Sequence, residues 1–399
     1  MTVMQGFPPP PDGQVALANW RTAPFNRWAL QHVREVVPSA EIANNPENVW
    51  RLPVGGADLS GLGLAEALAE TATDALVVLH RGCVVYETYA NGMTARTPHI
   101  LMSVSKSVLG VVAAILAGRG LFDTAMPVTS MIPEIRGSAY DGATLGQLLD
   151  MRAGVLFDEN YEAVSGAIIA YRRAQGWNPP EPGAAPSDLR GFFPSLAEAD
   201  GPHGGRFHYV SPNTDLLGWA LERASGERYA DLVSRLLWAP MGAERDGYIT
   251  VDRLGAPRCA GGVCSTARDL ARLGQLIVQG GARDGRQIIP AAWIDDITCN
   301  GDAGAWDRGD FAHLFPGAAM HYRDKWYVTR EAQPWLFALG VNGQNLFVDR
   351  ANGIVIARFA SQALALDVPA IGVTMAMVAG IRGRLVGMTS ALRCATALR

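Results

Sequence analysis

The chain has 399 residues and a formal net charge of -4 at pH 7, and 49% of its residues are hydrophobic. These values describe an ordinary globular protein that is long enough to form two interlocked subdomains. Because the net charge is small and its acidic and basic residues are interspersed, the chain offers no electrostatic case for nucleic acid or an anionic membrane as a partner.

The N-terminal stretch and the cysteines predict a cytoplasmic protein. Residues 1–15 lack the basic start and apolar core of a secretion signal. No window reaches the roughly 18 uninterrupted apolar residues that span a bilayer. The five cysteines show neither disulfide nor zinc-ligand spacing, so we expect free thiols and no metal site. They are Cys83, Cys259, Cys264, Cys299 and Cys394.

The first part of the chain predicts two helices, a β-hairpin and a third helix. Residues 16–37 and 62–71 carry apolar side chains at helical spacing. Residues 75–79 and 83–89 are rich in β-branched and aromatic residues and are separated by a short turn, which predicts two antiparallel strands. After a loop, the chain enters an apolar helix that begins near Ser103.

The middle of the chain, residues 123–253, combines helix-forming residues with proline and glycine and lacks clear strand alternation. Thr144 is the candidate N-cap of a short helix. Residues 175–212 are rich in proline and glycine and predict a long irregular segment, which we interpret as a lid. Two further helices are expected, one over residues 213–225 that ends at Gly226 and one over residues 229–238 before Pro240.

The last part of the chain returns to strands. Near residue 266, a serine or threonine cap is followed by an acidic residue, which predicts an amphipathic helix over residues 265–278. Residues 337–348 and 354–360 are expected to form paired strands. Residues 371–385 predict a terminal helix that packs on that sheet.

This distribution predicts an α/β (α+β) fold in two parts. Strands near both ends of the chain would form an antiparallel sheet flanked by helices, in one domain built from residues 1–122 and 254–399. Residues 123–253 would form a mostly helical inserted domain.

The strongest chemical signal is the pair Ser103 and Lys106. Residues three apart on a helix share one face, with Cβ atoms about 5–6 Å apart. Lys106 and Lys325 are the only lysines among 34 basic residues. A desolvated lysine can be neutral near pH 7, whereas arginine keeps its proton. The pair therefore suits a hydroxyl nucleophile and an amine that accepts its proton.

Other nucleophiles and bases stay open at this point. A free cysteine is a possible nucleophile, although most free cysteines are small buried hydrophobic residues. His208 could act as a base, although an isolated histidine more often packs or faces solvent. Tyr209, Ser211 and Asn213 cluster just before a helix. Residues 338–343 form a glycine-containing strand against which a ligand can lie.

In this order, the motifs resemble the serine β-lactamase and penicillin-binding-protein superfamily. Within it they are most similar to the 6-aminohexanoate-dimer (nylon oligomer) hydrolases and the β-lactamase-like (family VIII) carboxylesterases. The matching segments are the hairpin, residues 101–106, residues 207–218 and residues 261–274. The resemblance implies a β-lactamase/DD-peptidase-like fold, acyl transfer through serine, and no metal or organic cofactor. It leaves a homodimer open.

The resemblance also implies roles for the central residues. Ser103 would be the acyl-accepting nucleophile, and Lys106 the base or proton relay. Tyr209 would pass a proton to the leaving group, with its ionised form favoured by the nearby ammonium. The backbone N–H groups of Ser103 and Val341 would form the oxyanion hole. Whether Lys106 or Tyr209 is the initial base stays open.

Six further positions are implied to contact the substrate or orient the site. They are Tyr161, Trp177, Arg172, Ala260, Asn213 and Asn342. Tyr161 and Trp177 fall where the dimer hydrolases place a substrate-facing tyrosine and a tryptophan on a closing loop, and each fits an ordinary core residue equally well. Asn213 would help to orient Tyr209. Arg172 and Ala260 stand where efficient nylon-oligomer hydrolases carry an acid and an amide.

The departures from the family pattern favour ester cleavage. Residues 338–340 read Ala-Leu-Gly where lactam-binding relatives have Lys-Thr-Gly, so the cation and hydroxyl that hold a lactam carboxylate are missing. An ester makes fewer demands than an amide, because an alkoxide leaves more readily than an amine. We expect a serine hydrolase of carboxylic esters and short linear amides. The alternatives are a dedicated 6-aminohexanoate-dimer hydrolase and a non-catalytic penicillin-binding-like sensor.

Overall fold

The computed structural model describes residues 2–397, with side chains through residue 388. Its strands form three antiparallel sheets. In chain order the strands are β1 Ser39–Ile42, β2 Thr73–His80, β3 Cys83–Tyr89, β4 His99–Ile100, β5 Gly247–Thr250, β6 Val263–Ser265, β7 Ala282–Arg283, β8 Arg286–Gln287, β9 Met320–Arg323, β10 Trp326–Thr329, β11 Leu336–Gly340, β12 Gln344–Asp349 and β13 Ile354–Ala360.

Helices occupy both flanks of the main sheet and most of the middle of the chain. In chain order the α-helices are α1 Asn26–Ala29, α2 Leu64–Glu70, α3 Val104–Gly118, α4 Val128–Met131, α5 Leu145–Leu149, α6 Ala167–Ala174, α7 Leu189–Phe192, α8 Pro212–Ser225, α9 Tyr229–Val233, α10 Ala239–Met241, α11 Ala267–Val278, α12 Ala291–Cys299, α13 Ala303–Asp307 and α14 Val368–Ala397.

The seven-stranded sheet joins the two ends of the chain. Its strand order is β3-β2-β13-β12-β11-β10-β9, so the N-terminal hairpin pairs with the last strand. α3 and α11 pack on one face, whereas α2 and α14 cover the other. This arrangement confirms the expected α/β class, with an antiparallel sheet flanked by helices.

A smaller four-stranded sheet has the order β1-β5-β6-β4. β4 ends shortly before Ser103, and β6 ends shortly before α11. Residues 123–253 contain seven consecutive helices, α4 to α10, and the single strand β5. Because β5 pairs with β1 and β6, that range is not purely helical. The division into two domains stays a prediction.

Local signals placed several helix ends correctly. The Thr144 side chain and Gln147 form a reciprocal capping box at the start of α5. Thr266 caps α11 by accepting a hydrogen bond from the Asp269 backbone amide. Gly226 ends α8 with a left-handed φ of 73°, which glycine adopts without steric cost.

Two predicted elements were wrong. Residues 16–37 form only the single turn α1 and a short 3-10 turn. Their apolar side chains, including Trp20, instead pack in a cluster with distant residues such as Met102 and Trp177. Residues 337–348 are two strands, β11 and β12, joined by the turn Val341–Gly343. Asn342 adopts a φ of 60° there, a left-handed conformation that asparagine tolerates better than most residues.

The terminal helix extends beyond its predicted range. Among the described residues, its segment Val368–Met388 is the one helix long and apolar enough by mean hydropathy, 1.3, to cross a membrane. Arg382 and Arg384 interrupt it, so it is not the uninterrupted apolar window that the sequence was expected to lack. Met377 and Ile381 on this helix are buried in the core. Cys394 lies outside the described side chains.

Candidate active site

Ser103 is placed at the N-terminus of α3 by a strained turn. The preceding Met102 adopts a φ of 45°, a conformation that costs a non-glycine residue about 1 kcal/mol. The turn is held in place because the Leu101 amide donates a hydrogen bond of 2.8 Å to the Val263 carbonyl of β6. The hydroxyl of Ser103 therefore lies where the helix dipole favours a developing negative charge.

Lys106 lies one turn along α3 and is almost completely buried. Its Nζ is 2.9 Å from Ser103 Oγ and donates a hydrogen bond of 2.7 Å to the Ala260 carbonyl oxygen. Burial lowers the pKa of this amine to about 7, with repulsion from Arg258 acting in the same direction. Glu159 and Asp215 oppose the shift without reversing it. A large fraction of Lys106 is therefore neutral near pH 7.

Tyr209 completes a cluster with these two residues. Its side chain lines the same small pocket as Ser103, and Lys106 Nζ lies over its ring, 4.8 Å from the centroid. Burial raises the Tyr209 pKa well above its usual value, and the charge of Glu159 raises it further. The expected stabilisation of the phenolate by an ammonium is therefore not found. Tyr209 stays a phenol that can donate a proton.

The active-site strand β11 approaches Ser103 through a glycine. A Cβ atom added to Gly340 would lie 2.7 Å from the Leu101 carbonyl oxygen and 3.0 Å from the Ser103 amide nitrogen. Only glycine allows this contact without displacing one of the two backbones. Val341 follows at the end of the strand and lines the same space as Ser103.

Ser103 lies between a wide cleft and a small apolar pocket. The wide cleft encloses about 580 Å³ and the pocket about 60 Å³, and both are lined by Ser103, Tyr161 and Val341. Of the predicted substrate-contacting residues, five line the wide cleft: Tyr161, Arg172, Trp177, Ala260 and Asn342. The pocket is mostly aromatic and aliphatic, with Tyr209, Phe311, Leu314, Phe315, Leu339 and Ile371 among its lining residues.

Asn213 does not reach either space. Its side chain is fully buried in α8, where its Oδ1 accepts a hydrogen bond of 2.9 Å from the Tyr140 hydroxyl. Its Nδ2 faces the Met151 sulfur at 3.9 Å. No direct hydrogen bond from Asn213 to Tyr209 or Lys106 occurs in the described structure, so the predicted orienting contact is absent.

A buried ion pair behind Lys106 was missed from the sequence. Asp215 Oδ2 accepts a hydrogen bond of 2.6 Å from Arg258, and its Oδ1 accepts one of 2.7 Å from the Ala260 amide. Tyr171 donates to the same carboxylate. Asp215 was visible in the motif around Tyr209, but its partner lies 43 residues later, at a spacing that no local pattern indicates.

Glu159 was also missed, although it is two residues before Tyr161. Its two carboxylate oxygens accept hydrogen bonds of 2.9 Å and 2.6 Å from the Ser211 amide and hydroxyl. Glu159 also lines the wide cleft. It therefore places a negative charge near Lys106 and Tyr209, and this charge raises the pKa of both side chains.

The alternative base and nucleophiles lie elsewhere. His208 Nδ1 is 2.8 Å from Asp310, whose same oxygen accepts a hydrogen bond from the Tyr209 amide. His208 therefore supports the backbone of Tyr209 and does not face Ser103. Burial raises the pKa of the Cys259 and Cys264 thiols. No group of three or more potential metal ligands occurs among the described residues.

Comparison with known proteins identifies the family. The family model described as Beta-lactamase matches residues 63–370. A 6-aminohexanoate-dimer hydrolase of Paenarthrobacter ureafaciens is 35% identical over 358 residues, which cover 89% of this chain and 90% of that protein. A solved Bacillus anthracis structure assigned as a 6-aminohexanoate-dimer hydrolase has a TM-score of 0.84 and 28% identity, covering 95% of this chain and 99% of that one.

The fold is also shared with more distant structures. A family VIII carboxylesterase superposes with a TM-score of 0.59 at 15% identity, covering 82% of this chain and 98% of that one. The family match, the 35% identical relative and the common fold agree with the geometry around Ser103. The chain therefore belongs to the beta-lactamase family and is a hydrolase with the β-lactamase/DD-peptidase fold.

Proposed function

We propose that this hydrolase forms an acyl-enzyme on Ser103 and cleaves carboxylic esters and short linear amides of the 6-aminohexanoate-dimer type. One observation carries the proposal: a buried lysine amine, with its pKa lowered to about 7, lies 2.9 Å from the hydroxyl of a serine at a helix N-terminus. A neutral amine at this distance can accept the serine proton as the oxygen attacks.

The acylation step uses all three residues of the cluster. Neutral Lys106 takes the Ser103 proton while Oγ forms a bond to the substrate carbonyl carbon. The negative charge that moves to the carbonyl oxygen would be bound by the backbone N–H groups of Ser103 and Val341, and such donors contribute about 2.7–4 kcal/mol in the transition state. Tyr209 gives its phenolic proton to the leaving alkoxide or amine and recovers one from the Lys106 ammonium.

Deacylation reverses the order with water in place of the leaving group. Water gives a proton to the amine of Lys106 as it attacks the acyl carbon. Ser103 Oγ then leaves and takes back a proton. The high pKa of Tyr209 supports this order, because a phenol that stays protonated is a donor and a poor initial base. The proposal therefore assigns the initial base to Lys106.

The substrate class is inferred from the two spaces that meet at Ser103. The pocket of about 60 Å³ is lined mostly by apolar side chains and fits a short apolar group. The cleft of about 580 Å³ has space for a longer polar chain. The 35% identical relative carries the name of a linear-amide hydrolase, which supports testing linear amides beside esters. Small-molecule esters and amides in the cytoplasm are the proposed partners, without nucleic acid or membrane.

The test combines covalent labelling with turnover. A fluorophosphonate should label Ser103, and Ser103→Ala should lose labelling and p-nitrophenyl ester hydrolysis. An unchanged rate in that variant would overturn the proposal. Release of free 6-aminohexanoate from the linear dimer, with little ester hydrolysis, would instead indicate a dedicated amide hydrolase. A single acylation burst without steady turnover would indicate a non-catalytic sensor.

A further inference from the structure

Four arginines line the wide cleft. Arg173 pairs with Glu181, and we call the other three, Arg21, Arg172 and Arg258, the arginine cluster. Arg258 is neutralised by Asp215, with 2.6 Å between Nη1 and Oδ2. Neither Arg21 nor Arg172 forms an ion pair with a carboxylate in the part of the chain that the structure describes. Two of the three guanidinium groups therefore have no carboxylate in direct contact.

The ring of Trp177 connects the cluster to the nucleophile. The guanidinium carbons of Arg21 and Arg258 lie 5.8 Å and 5.0 Å from its centroid. Trp177 is fixed by its indole N–H, which donates a hydrogen bond of 3.1 Å to Thr250 Oγ1. A Cβ atom on Gly261 would lie 3.2 Å from this ring and 3.8 Å from the carbonyl carbon of Met102, the residue before Ser103. A single glycine therefore separates the cluster from the nucleophile turn.

Several hydrogen-bond donors at the cluster are unused. Arg21 donates through Nη2 to Asn178 Oδ1 at 2.6 Å, and Arg172 donates through Nη2 to the Tyr161 carbonyl at 3.0 Å. Arg21 Nε is buried without an acceptor. Gln175, which is 1% exposed and lines the same cleft, has both its amide oxygen and nitrogen buried without a partner. Such unpaired polar atoms are rare unless water or a ligand completes them.

Charge repulsion within the cluster also favours the binding of an anion. Burial, together with repulsion from the charges of Arg172 and Arg258, lowers the pKa of Arg21 to about 9. The cleft also contains Glu159 and Glu162, and the charge of Glu159 acts on Arg172, but Glu159 accepts its hydrogen bonds from Ser211 and neither glutamate forms an ion pair with Arg21 or Arg172 in the described structure. A bound carboxylate would relieve the repulsion and accept from the guanidinium groups, which bind carboxylates in a planar, bidentate manner.

We propose that Arg21 and Arg172 bind a carboxylate of the substrate, so that the preferred esters and amides carry a free acid away from the scissile bond. This inference rests on the proposed function and names its substrate class. The site differs from the lactam-carboxylate site of lactam-binding relatives, because it uses residues of the N-terminal segment and α6 and none of strand β11.

Matched substrates separate the carboxylate preference from general turnover. Mono-p-nitrophenyl adipate carries a free carboxylate at the end of its acyl group, and its methyl ester is neutral there. The butyryl ester of 6-hydroxyhexanoic acid carries the carboxylate on its leaving group, and the methyl ester of that compound is again neutral. In one of the two series, kcat/KM for the acid should exceed that for the neutral ester by about tenfold, the effect of one charge-assisted contact.

Variants of the cluster should change that ratio through KM. Arg172→Gln and Arg21→Gln should each lower the ratio of acid to neutral kcat/KM toward one, and Arg172→Lys should recover part of it. Arg172→Asp should shift the preference toward an ester with an ammonium end, a gain that misfolding cannot produce. The charge-matched control is Arg235→Gln, which removes an exposed arginine paired with Glu227 and should leave the ratio unchanged.

Binding without turnover makes the test independent of the proposed chemistry. Adipate should bind to the Ser103→Ala protein in calorimetry, more weakly in Ser103→Ala/Arg172→Gln and more weakly at raised salt. The inference would be overturned if acid and neutral substrates had equal kcat/KM in both series in the parent protein and adipate did not bind. If the neutral esters are hydrolysed through Ser103 in that case, the proposed function stands. Adipate binding without ester or amide turnover would overturn the proposed function alone.

Discussion

The carbonyl oxygen of Ala260 accepts a hydrogen bond of 2.7 Å from Lys106, and the amide of the same residue donates one of 2.7 Å to Asp215. One residue of backbone thus links the amine beside Ser103 to the buried Asp215–Arg258 pair. Lys106 gains a fixed position from this link but no carboxylate in direct contact. Burial therefore dominates its pKa, and the amine is available as a base.

The first prediction concerns pH. Because the neutral amine of Lys106 is the base and its pKa is lowered to about 7, kcat/KM should be low below that pH and rise to a plateau above it. Lys106→Arg keeps a cation but cannot lose its proton, so it should reduce kcat by about 10²-fold or more. A pH-rate profile on an ester with a pH-independent leaving group measures this. A flat profile from about pH 6 to about pH 8 would contradict the assignment of the base.

The second prediction concerns Tyr209. Removal of the phenolic proton donor in Tyr209→Phe should slow hydrolysis of alkyl esters by about 10²-fold, the lower range for general acid catalysis. The loss should be much smaller for p-nitrophenyl esters, because p-nitrophenolate leaves without protonation. The ratio of the two effects is the measurement. Full activity on both substrates would indicate that Tyr209 only packs against Phe311, because phenylalanine keeps that ring.

The third prediction concerns the close approach of β11 to Ser103. In Gly340→Ala the added methyl group would meet the Leu101 carbonyl oxygen at 2.7 Å, so the strand or the nucleophile turn must move. We expect kcat to fall by about 10²-fold, comparable with the loss of one oxyanion donor, with a smaller change in KM.

The matched control for this variant is Gly372→Ala. Gly372 lies on α14, where an added Cβ atom would meet no heavy atom within 4 Å. The control should keep full activity and full thermal stability, since alanine favours a helix more than glycine does. An unchanged kcat in Gly340→Ala would show that Val341 does not depend on this contact for its position.

The fourth prediction concerns the buried ion pair. Asp215→Asn keeps the shape of the side chain but leaves the Arg258 guanidinium buried without a balancing charge, so the free energy of unfolding should fall by about 3–5 kcal/mol. Chemical denaturation measures the change. Arg258→Met in the Asp215→Asn background should restore part of the loss, because it removes the uncompensated charge.

The control is the partly exposed pair formed by Asp188 and Arg253, whose Oδ2 and Nη2 atoms are 3.1 Å apart. Asp188→Asn also removes a helix-capping carboxylate, yet it should cost only about 1 kcal/mol, because such groups lie near solvent. If Asp215→Asn and Asp188→Asn lower the free energy of unfolding by similar amounts, burial does not determine how much the Asp215–Arg258 pair contributes to stability.

Local signals predicted the parts of the fold that depend on neighbouring residues. The caps at Thr144 and Thr266, the hairpin of β2 and β3 and the glycine end of α8 all depend on chemistry within a few residues. Residues 16–37 were predicted incorrectly because their apolar spacing is helical, whereas their side chains are buried by contacts with distant segments. Helical spacing alone does not distinguish these two uses of apolar residues.

The sequence by itself determined the Ser103–Lys106 pair, since a separation of three residues on a helix fixes both side chains on one face. Only the tertiary structure decided what the pair can do. Burial, which depends on segments far apart in the chain, lowers the Lys106 pKa and raises that of Tyr209. The unpaired charge of Arg21 and Arg172 is likewise invisible in the sequence, because a charge is unbalanced only relative to the side chains that the fold brings within reach.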